Sequence, residues 1–172
     1  MLLPAILDIE ASGFGKGSYP IEIGVATEQG ETHSWLIVPE PGWVHWDVEA
    51  EKIHGISQQQ LRETGHQVTV IAEQLNEMLE GQILYSDGWG FDSGWLALLY
   101  YSARRTMTFR LETLPRILSE YQMQHWDDTK QSIRSSYGLS HHRAGVDARV
   151  LQLTYEATAQ RETQRKMRNN GP

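Results

Sequence analysis

Three short apolar runs, separated by polar segments, open the chain and restrict the folds available to it. The runs are Leu2–Ile9, Pro20–Thr27 and Thr32–Val38. Each is the length of a buried strand and is shorter than an ordinary helix. Between the second and third lies Glu28-Gln29-Gly30-Glu31, a polar, glycine-containing segment that suits a hairpin. We therefore predict an antiparallel meander of three strands at the start of the fold.

Helices and single strands alternate along the rest of the chain. Two short helices are predicted between Pro39 and Gly65, the second capped by Ser57, and a periodic apolar pattern predicts a helix over Gln67–Glu80 that Gly81 ends. The remaining predictions are strands at Gln82–Ser86 and near Met107–Arg110, and helices at Phe91–Ala103, Thr113–Tyr121, Asp128–Tyr137 and Ala144–Ala159. This order predicts an α/β fold with a mixed five-stranded sheet, antiparallel strands first and parallel strands later, flanked by helices.

The length of 172 residues fits one domain, which we assign to residues 1–159. Residues 160–172 are polar and include four basic side chains, so we expect a frayed tail there, with contact to nucleic acid as the alternative. The N-terminus has no basic flank, and no apolar run approaches the ~20 residues that span a bilayer. We expect a soluble, cytoplasmic protein with no membrane partner.

Charge and cysteine content limit the chemistry. The formal net charge of −7 argues against coating nucleic acid by bulk attraction, but not against an enzyme whose acids hold cations. The chain has no cysteine, so any metal must be held by oxygen or imidazole ligands.

The first strand carries an acidic pair. Asp8 and Glu10 alternate with Ile9, so both carboxylates point to one face while the isoleucine points to the other. Neighbouring carboxylates repel each other unless a cation intervenes, which makes the pair a candidate cation site. On its own, a solvated surface pair is the alternative.

Two further acidic positions lie in the first turns of predicted apolar helices. Asp92 lies in an apolar stretch after Asp87-Gly88, where capping of the helix is the alternative to a ligand role. Asp147 follows His142 near the start of the last helix, where an ordinary surface loop is the alternative.

Taken together and in order, these motifs resemble the DEDDh exonucleases, a branch of the proofreading-exonuclease superfamily with an RNase H-like fold. The matching segments are Asp8-Ile9-Glu10, Phe91-Asp92-Ser93-Gly94-Trp95-Leu96 and His142-Arg143-Ala144-Gly145-Val146-Asp147, with His54-Gly55-Ile56 between the first two. Two departures are the Gly88-Trp89-Gly90 run, where many relatives place an asparagine, and Gly145 in the last motif.

The resemblance implies a two-metal-ion 3′→5′ exonuclease. Asp8, Glu10, Asp92 and Asp147 would hold two Mg²⁺ or Mn²⁺ ions, with His142 as the general base. Weaker candidates for contacts to the terminal nucleotide are Ser12, Gly13, Phe14, Glu49, His54 and Trp89.

The expected partner is a single-stranded DNA or RNA 3′ end, and homodimer formation is left open. Two alternatives remain at this stage. One is a catalytically silent nucleic-acid-binding or regulatory module of the same fold, and the other is a metal-dependent phosphatase or other small-molecule hydrolase.

Overall fold

The computed structural model of the protein describes residues 3–169. The strands are β1 (Ala5–Ala11), β2 (Pro20–Ala26), β3 (Thr32–Leu36), β4 (Ile83–Ser86) and β5 (Arg110–Thr113). The helices are α1 (Val48–His54), α2 (Gln58–Thr64), α3 (Val68–Leu79), α4 (Trp89–Ala103), α5 (Glu120–Ser136) and α6 (Ala144–Asn169), with a short 3₁₀ helix at Leu114–Ile117.

The five strands form one mixed sheet in the order β3-β2-β1-β4-β5. β1 pairs antiparallel with β2, and β2 pairs antiparallel with β3. β1 also pairs parallel with β4, which pairs parallel with β5. The predicted fold class is therefore confirmed, with the meander on one side and the parallel strands on the other.

Helices cover both faces of this sheet, and the alternation along β1 decides which side chain meets which layer. Leu7 and Ile9 belong to the core cluster that includes residues of α3 and α4. Ile6 lies on the opposite face, in the cluster that contains Ala148 and Leu151 of α6. Since strand side chains alternate, Asp8 shares the face of Ile6 and points toward α6.

The boundaries of β5 and α5 differ from the prediction. The strand predicted near Met107–Arg110 lies at Arg110–Thr113, because parallel pairing sets Arg110 opposite Ile83. The helix predicted over Thr113–Tyr121 is only a 3₁₀ helix at Leu114–Ile117, with Pro115 in its first turn. α5 begins at Glu120 instead of Asp128, because Ser119 and Gln122 form a reciprocal capping box.

The last helix is longer than predicted. α6 runs to Asn169, so the first part of the 160–172 segment is helical where a frayed tail is expected. Lys166 Nζ lies 2.7 Å from Glu162 Oε1 one turn earlier, and Glu162 Oε2 accepts a hydrogen bond from Ser119 Oγ at 2.8 Å. The hydrogen bond from Ser119 ties the segment to the start of α5. The rest of the predicted tail lies outside the described residues, and the division at residue 159 stays a prediction.

Within residues 3–169, no helix combines the length and the apolar character that crossing a bilayer would need.

Candidate active site

An open cavity of about 400 Å³ lies where the end of β1 meets the starts of α4 and α6. All five residues that the sequence singles out for catalysis line it: Asp8, Glu10, Asp92, His142 and Asp147. The fold thus brings together side chains that are separated by more than a hundred residues along the chain.

The start of α6 sits directly on the strands that carry the acids. Gly24 of β2 lies opposite Asp8 in the antiparallel register, and a Cβ at this position would overlap the backbone of Ala144 and Gly145. Gly145, in turn, leaves room for β3, since its added Cβ would lie 3.2 Å from the Cβ of Ser34. Glycines on both sides therefore allow this close approach of α6 to the sheet. The departure from the family motif at Gly145 thus has a packing reason.

A buried glutamate that sequence reasoning missed fixes the loop before α6. Glu22 lies opposite Glu10 and is only 1% exposed. Its carboxylate accepts hydrogen bonds from Arg143 Nη2 at 2.8 Å and from the Ala144 backbone N–H at 3.0 Å. It thereby caps α6 and holds the His142-Arg143 segment against β2. The sequence signal that could have identified Glu22 is its position as the single acid in the otherwise apolar run of β2.

Asp147 is the most heavily engaged acid of the site. Its Oδ2 lies 2.9 Å from Nδ1 of His142, and its Oδ1 accepts a hydrogen bond from Nη1 of Arg134. The His142 side chain is 50% exposed, whereas that of Asp147 is 11% exposed. Arg134 comes from the last turn of α5, and no sequence motif marks it.

Asp92 lies in the first turn of α4 but does not cap it. Gly88 is the N-cap residue, and α4 has no side-chain cap hydrogen bond. The Asp92 side chain, 3% exposed, instead accepts a hydrogen bond from the hydroxyl of Ser86 at the end of β4. The helix-cap alternative from the sequence is therefore wrong.

The crowding of these acids raises their pKa values. Burial and then repulsion from Asp92 and Glu10 raise the pKa of Asp8 well above its usual range. Burial, followed by repulsion from Asp147 and Glu22, raises the pKa of Glu10 to about 7. Burial likewise raises the pKa of Asp92 to about 7, against the lowering effect of the Ser86 hydroxyl. The site therefore disfavours its own negative charge unless a positive charge compensates it.

The donor atoms fit a divalent cation. Glu10, His142 and Asp147 each offer a ligand atom, and these three atoms lie within 4.8 Å of one another. Carboxylate oxygens suit Mg²⁺ or Mn²⁺, and the chain has no thiolate to favour softer metals. Asp8 and Asp92 line the same cavity and can complete the ligand set.

Of the weaker sequence candidates, Gly13, Phe14 and His54 line the cavity. The Nδ1 of His54 accepts a hydrogen bond from the Ile56 N–H at 3.1 Å, so its Nε2 carries the proton. Among the described residues, that Nε2 is the one buried side-chain polar atom with no hydrogen-bond partner. Burial also lowers the pKa of His54, which favours the neutral donor.

The other three weak candidates do not line the cavity. Ser12 is buried, and its hydroxyl accepts a hydrogen bond from the Tyr19 N–H at 3.1 Å. The carboxylate of Glu49 pairs with Lys52 Nζ at 2.6 Å. Trp89 is partly exposed and donates a hydrogen bond to the Leu111 carbonyl at 2.9 Å. The hydrogen bond between Ser12 and Tyr19 therefore has a structural role, since it joins the two ends of the loop between β1 and β2.

An aromatic cluster, exposed at Phe14 and Phe91 and partly buried at Trp95, borders the acids. Phe14, which is 67% exposed, packs edge-on against Phe91 with ring centroids 4.9 Å apart. Trp95 lies 5.8 Å from Phe91 in a stacked arrangement and 5.9 Å from Phe14. All three line the cavity, and sequence reasoning named only Phe14 as a contact residue.

The sheet order and its helices have counterparts among solved exonuclease structures: the chain has the α/β fold of exonuclease I. No protein-family model matches the sequence, and no curated protein matches it significantly.

Three exonuclease I structures illustrate the likeness. Escherichia coli exonuclease I in complex with a dT13 oligonucleotide superposes with a TM-score of 0.65 at 13% identity, over 98% of this chain and 43% of that chain. The enzyme from Methylocaldum szegediense gives 0.65 at 18% identity, over 97% and 42%. A zinc-bound E. coli exonuclease I–ssDNA complex gives 0.61 at 14% identity, over 97% and 42%. The chain spans less than half the length of these structures.

Proposed function

We propose that this protein is a metal-dependent 3′→5′ exonuclease of the DEDDh type that acts on single-stranded nucleic acid. The observation that carries the proposal is the convergence of Asp8, Glu10, Asp92, His142 and Asp147 on one open cavity. These are the residues, in the order, that the family motif requires. The fold it shares with exonuclease I supports the same assignment.

The four carboxylates would hold two divalent ions, Mg²⁺ or Mn²⁺. When bound, such ions neutralise the charge that develops on a phosphodiester and make water a stronger acid. The raised pKa values of Glu10 and Asp92 support this role, because a cation relieves the repulsion and desolvation that raise them.

His142 serves as the general base. Its Nδ1 lies 2.9 Å from Asp147 Oδ2, so the carboxylate favours the tautomer with the proton on Nδ1 and leaves Nε2 as the proton acceptor. The side chain is half exposed at the cavity, so a water molecule can reach Nε2. Asp147 thus acts on His142 as the orienting carboxylate of a base does in other hydrolases.

The terminal nucleotide would bind across the aromatic cluster. Phe14 and Phe91 offer exposed rings and Trp95 a partly buried one, and stacking of one unpaired base on an aromatic ring contributes about 1–3 kcal/mol. The partnerless Nε2–H of His54 would donate to an oxygen of the nucleotide. Stacking of this kind requires an unpaired base, which is why we propose a single-stranded 3′ end. We also propose a cytoplasmic location.

The decisive experiment follows a 5′-labelled single-stranded oligonucleotide incubated with the purified protein and Mn²⁺. We expect products that shorten stepwise from the 3′ end, release of mononucleotides, and no cleavage in EDTA. Asp8→Asn should abolish cleavage because it removes a charge from the shared cation site. Asp128→Asn, at an exposed position on α5, is the matched control and should cleave normally. Cleavage that resists EDTA, or an active Asp8→Asn variant, would contradict the proposal.

A further inference from the structure

A second cavity, of about 220 Å³, lies behind the acidic cluster. Asp8, His142 and Asp147 line both cavities, so the two cavities adjoin at these residues. The far side of the second cavity is formed by α5, through Lys130 and Arg134. One water occupies roughly 30 Å³ in the liquid, so the space accommodates a phosphate group with several waters.

Lys130 and Arg134 are the only lysine or arginine that line either cavity in the described part of the chain. They are four residues apart on α5, so both side chains project from the same face of the helix. Their side chains are 32% and 24% exposed, which leaves both within reach of a ligand.

Both cations are paired with acids of the site. Lys130 Nζ lies 3.2 Å from Asp87 Oδ2, and Arg134 Nη1 contacts Asp147 Oδ1. Partly exposed pairs of the Lys130–Asp87 kind contribute at most about 1 kcal/mol, so a phosphate oxygen can replace Asp87 as the partner of the ammonium.

Charge balance explains why these two side chains matter. Two divalent ions would offset the four carboxylates of the larger cavity, which leaves the charge of a bound phosphate without compensation. The protein has a net charge of −7, so general attraction does not supply that compensation. A divalent ion that binds Asp147 would also compete with Arg134 for the Asp147 carboxylate. The Arg134 guanidinium, partly released, can then present two parallel N–H groups to phosphate oxygens.

We propose that Lys130 and Arg134 form a phosphate-binding subsite behind the acidic cluster. The subsite takes a phosphate group of the nucleotide or nucleic acid that occupies the larger cavity. This inference rests on the proposed function, since it assumes that the larger cavity takes a nucleotide and divalent ions.

The test measures binding of thymidine 5′-monophosphate by calorimetry, with Mn²⁺ present and without any cleavable substrate. We expect Lys130→Gln and Arg134→Gln each to weaken nucleotide binding roughly tenfold, the loss of one charge-assisted hydrogen bond to phosphate. Arg116→Gln removes an exposed arginine that pairs with Glu112 away from both cavities, and it should bind like the wild type. Mn²⁺ affinity is measured for every variant.

Lys130→Gln does not touch a proposed metal ligand, so it remains informative if Arg134→Gln fails to fold. The inference is overturned if Lys130→Gln binds the nucleotide as tightly as the wild type. It is also overturned if Arg134→Gln loses nucleotide affinity only in proportion to lost Mn²⁺ affinity, which would mean that the guanidinium merely orients Asp147.

Oligonucleotide cleavage by the wild type separates this outcome from failure of the proposed function. A protein that cleaves, but whose two variants bind nucleotide normally, overturns the subsite alone. A protein that binds nucleotide through both side chains but never cleaves supports the subsite and overturns the exonuclease.

Discussion

Raising the pH of the ion-free protein should destabilise it, and Asp92 gives the most direct measure of that effect. Burial is the main cause that raises the pKa of this carboxyl from 3.8 to about 7. Between these two values the folded protein holds a proton that the unfolded chain has released. The free energy of unfolding therefore falls as pH rises through this window, by about 1.4 kcal/mol per pH unit.

The expected loss of unfolding free energy can be calculated between pH 5 and pH 8, a range that avoids acid denaturation. From pH 5 to pH 8, the folded carboxyl titrates while the unfolded one is already ionised, so the loss attributable to Asp92 is about 3 kcal/mol. That is a large part of the 5–15 kcal/mol typical of a domain. Asp92→Asn keeps a carbonyl oxygen to accept from the Ser86 hydroxyl but cannot ionise.

The assay is urea denaturation in EDTA at pH 5 and pH 8. The wild type should lose about 3 kcal/mol more than Asp92→Asn over this interval, while the exposed Asp128→Asn variant should follow the wild type. Mn²⁺ at a hundred times its dissociation constant should then restore about 3 kcal/mol to the wild type at pH 8. An equal pH dependence in the wild type and Asp92→Asn would refute the reasoning.

Two further changes test the packing of α6 and the role of the histidine. Gly24→Ala forces a Cβ into the backbone at the start of α6 and should lower the free energy of unfolding in urea by at least about 1–3 kcal/mol. The control is Gly94→Ala, whose added Cβ meets no atom within 4 Å and should not destabilise the protein. Equal stabilities of the two variants would contradict the close approach of α6 to β2. His142→Ala should lower the single-turnover cleavage rate by roughly 10²–10⁴-fold with Mn²⁺ affinity largely retained, while His141→Ala should change little. Full turnover by the His142 variant would remove it from the mechanism.

Local sequence patterns predict most of the fold. The meander is predictable because short apolar runs and a glycine-containing turn specify antiparallel neighbours without distant information. Ser57 was predictable as a cap, and its hydroxyl does accept from the Gln60 N–H. β5 was misplaced because a parallel strand takes its register from a partner elsewhere in the chain, here Ile83 opposite Arg110.

For the site, the sequence by itself determined the acids and their order. Asp8 and Glu10 must share one face of β1 because side chains alternate along a strand, whatever lies around them. The five motif residues could be named from the resemblance to the DEDDh exonucleases, and the structure places them around one cavity.

Only the tertiary structure decided what surrounds those acids. Glu22 meets Arg143 because β2 lies beside β1 and α6 begins over it, and Arg134 reaches Asp147 because α5 packs along α6. These contacts join residues that no local pattern relates, since charge pairing across a fold depends on which surfaces pack together. The motif therefore identifies the proposed ligands, whereas the packing of α5 and α6 sets the charges that act on them.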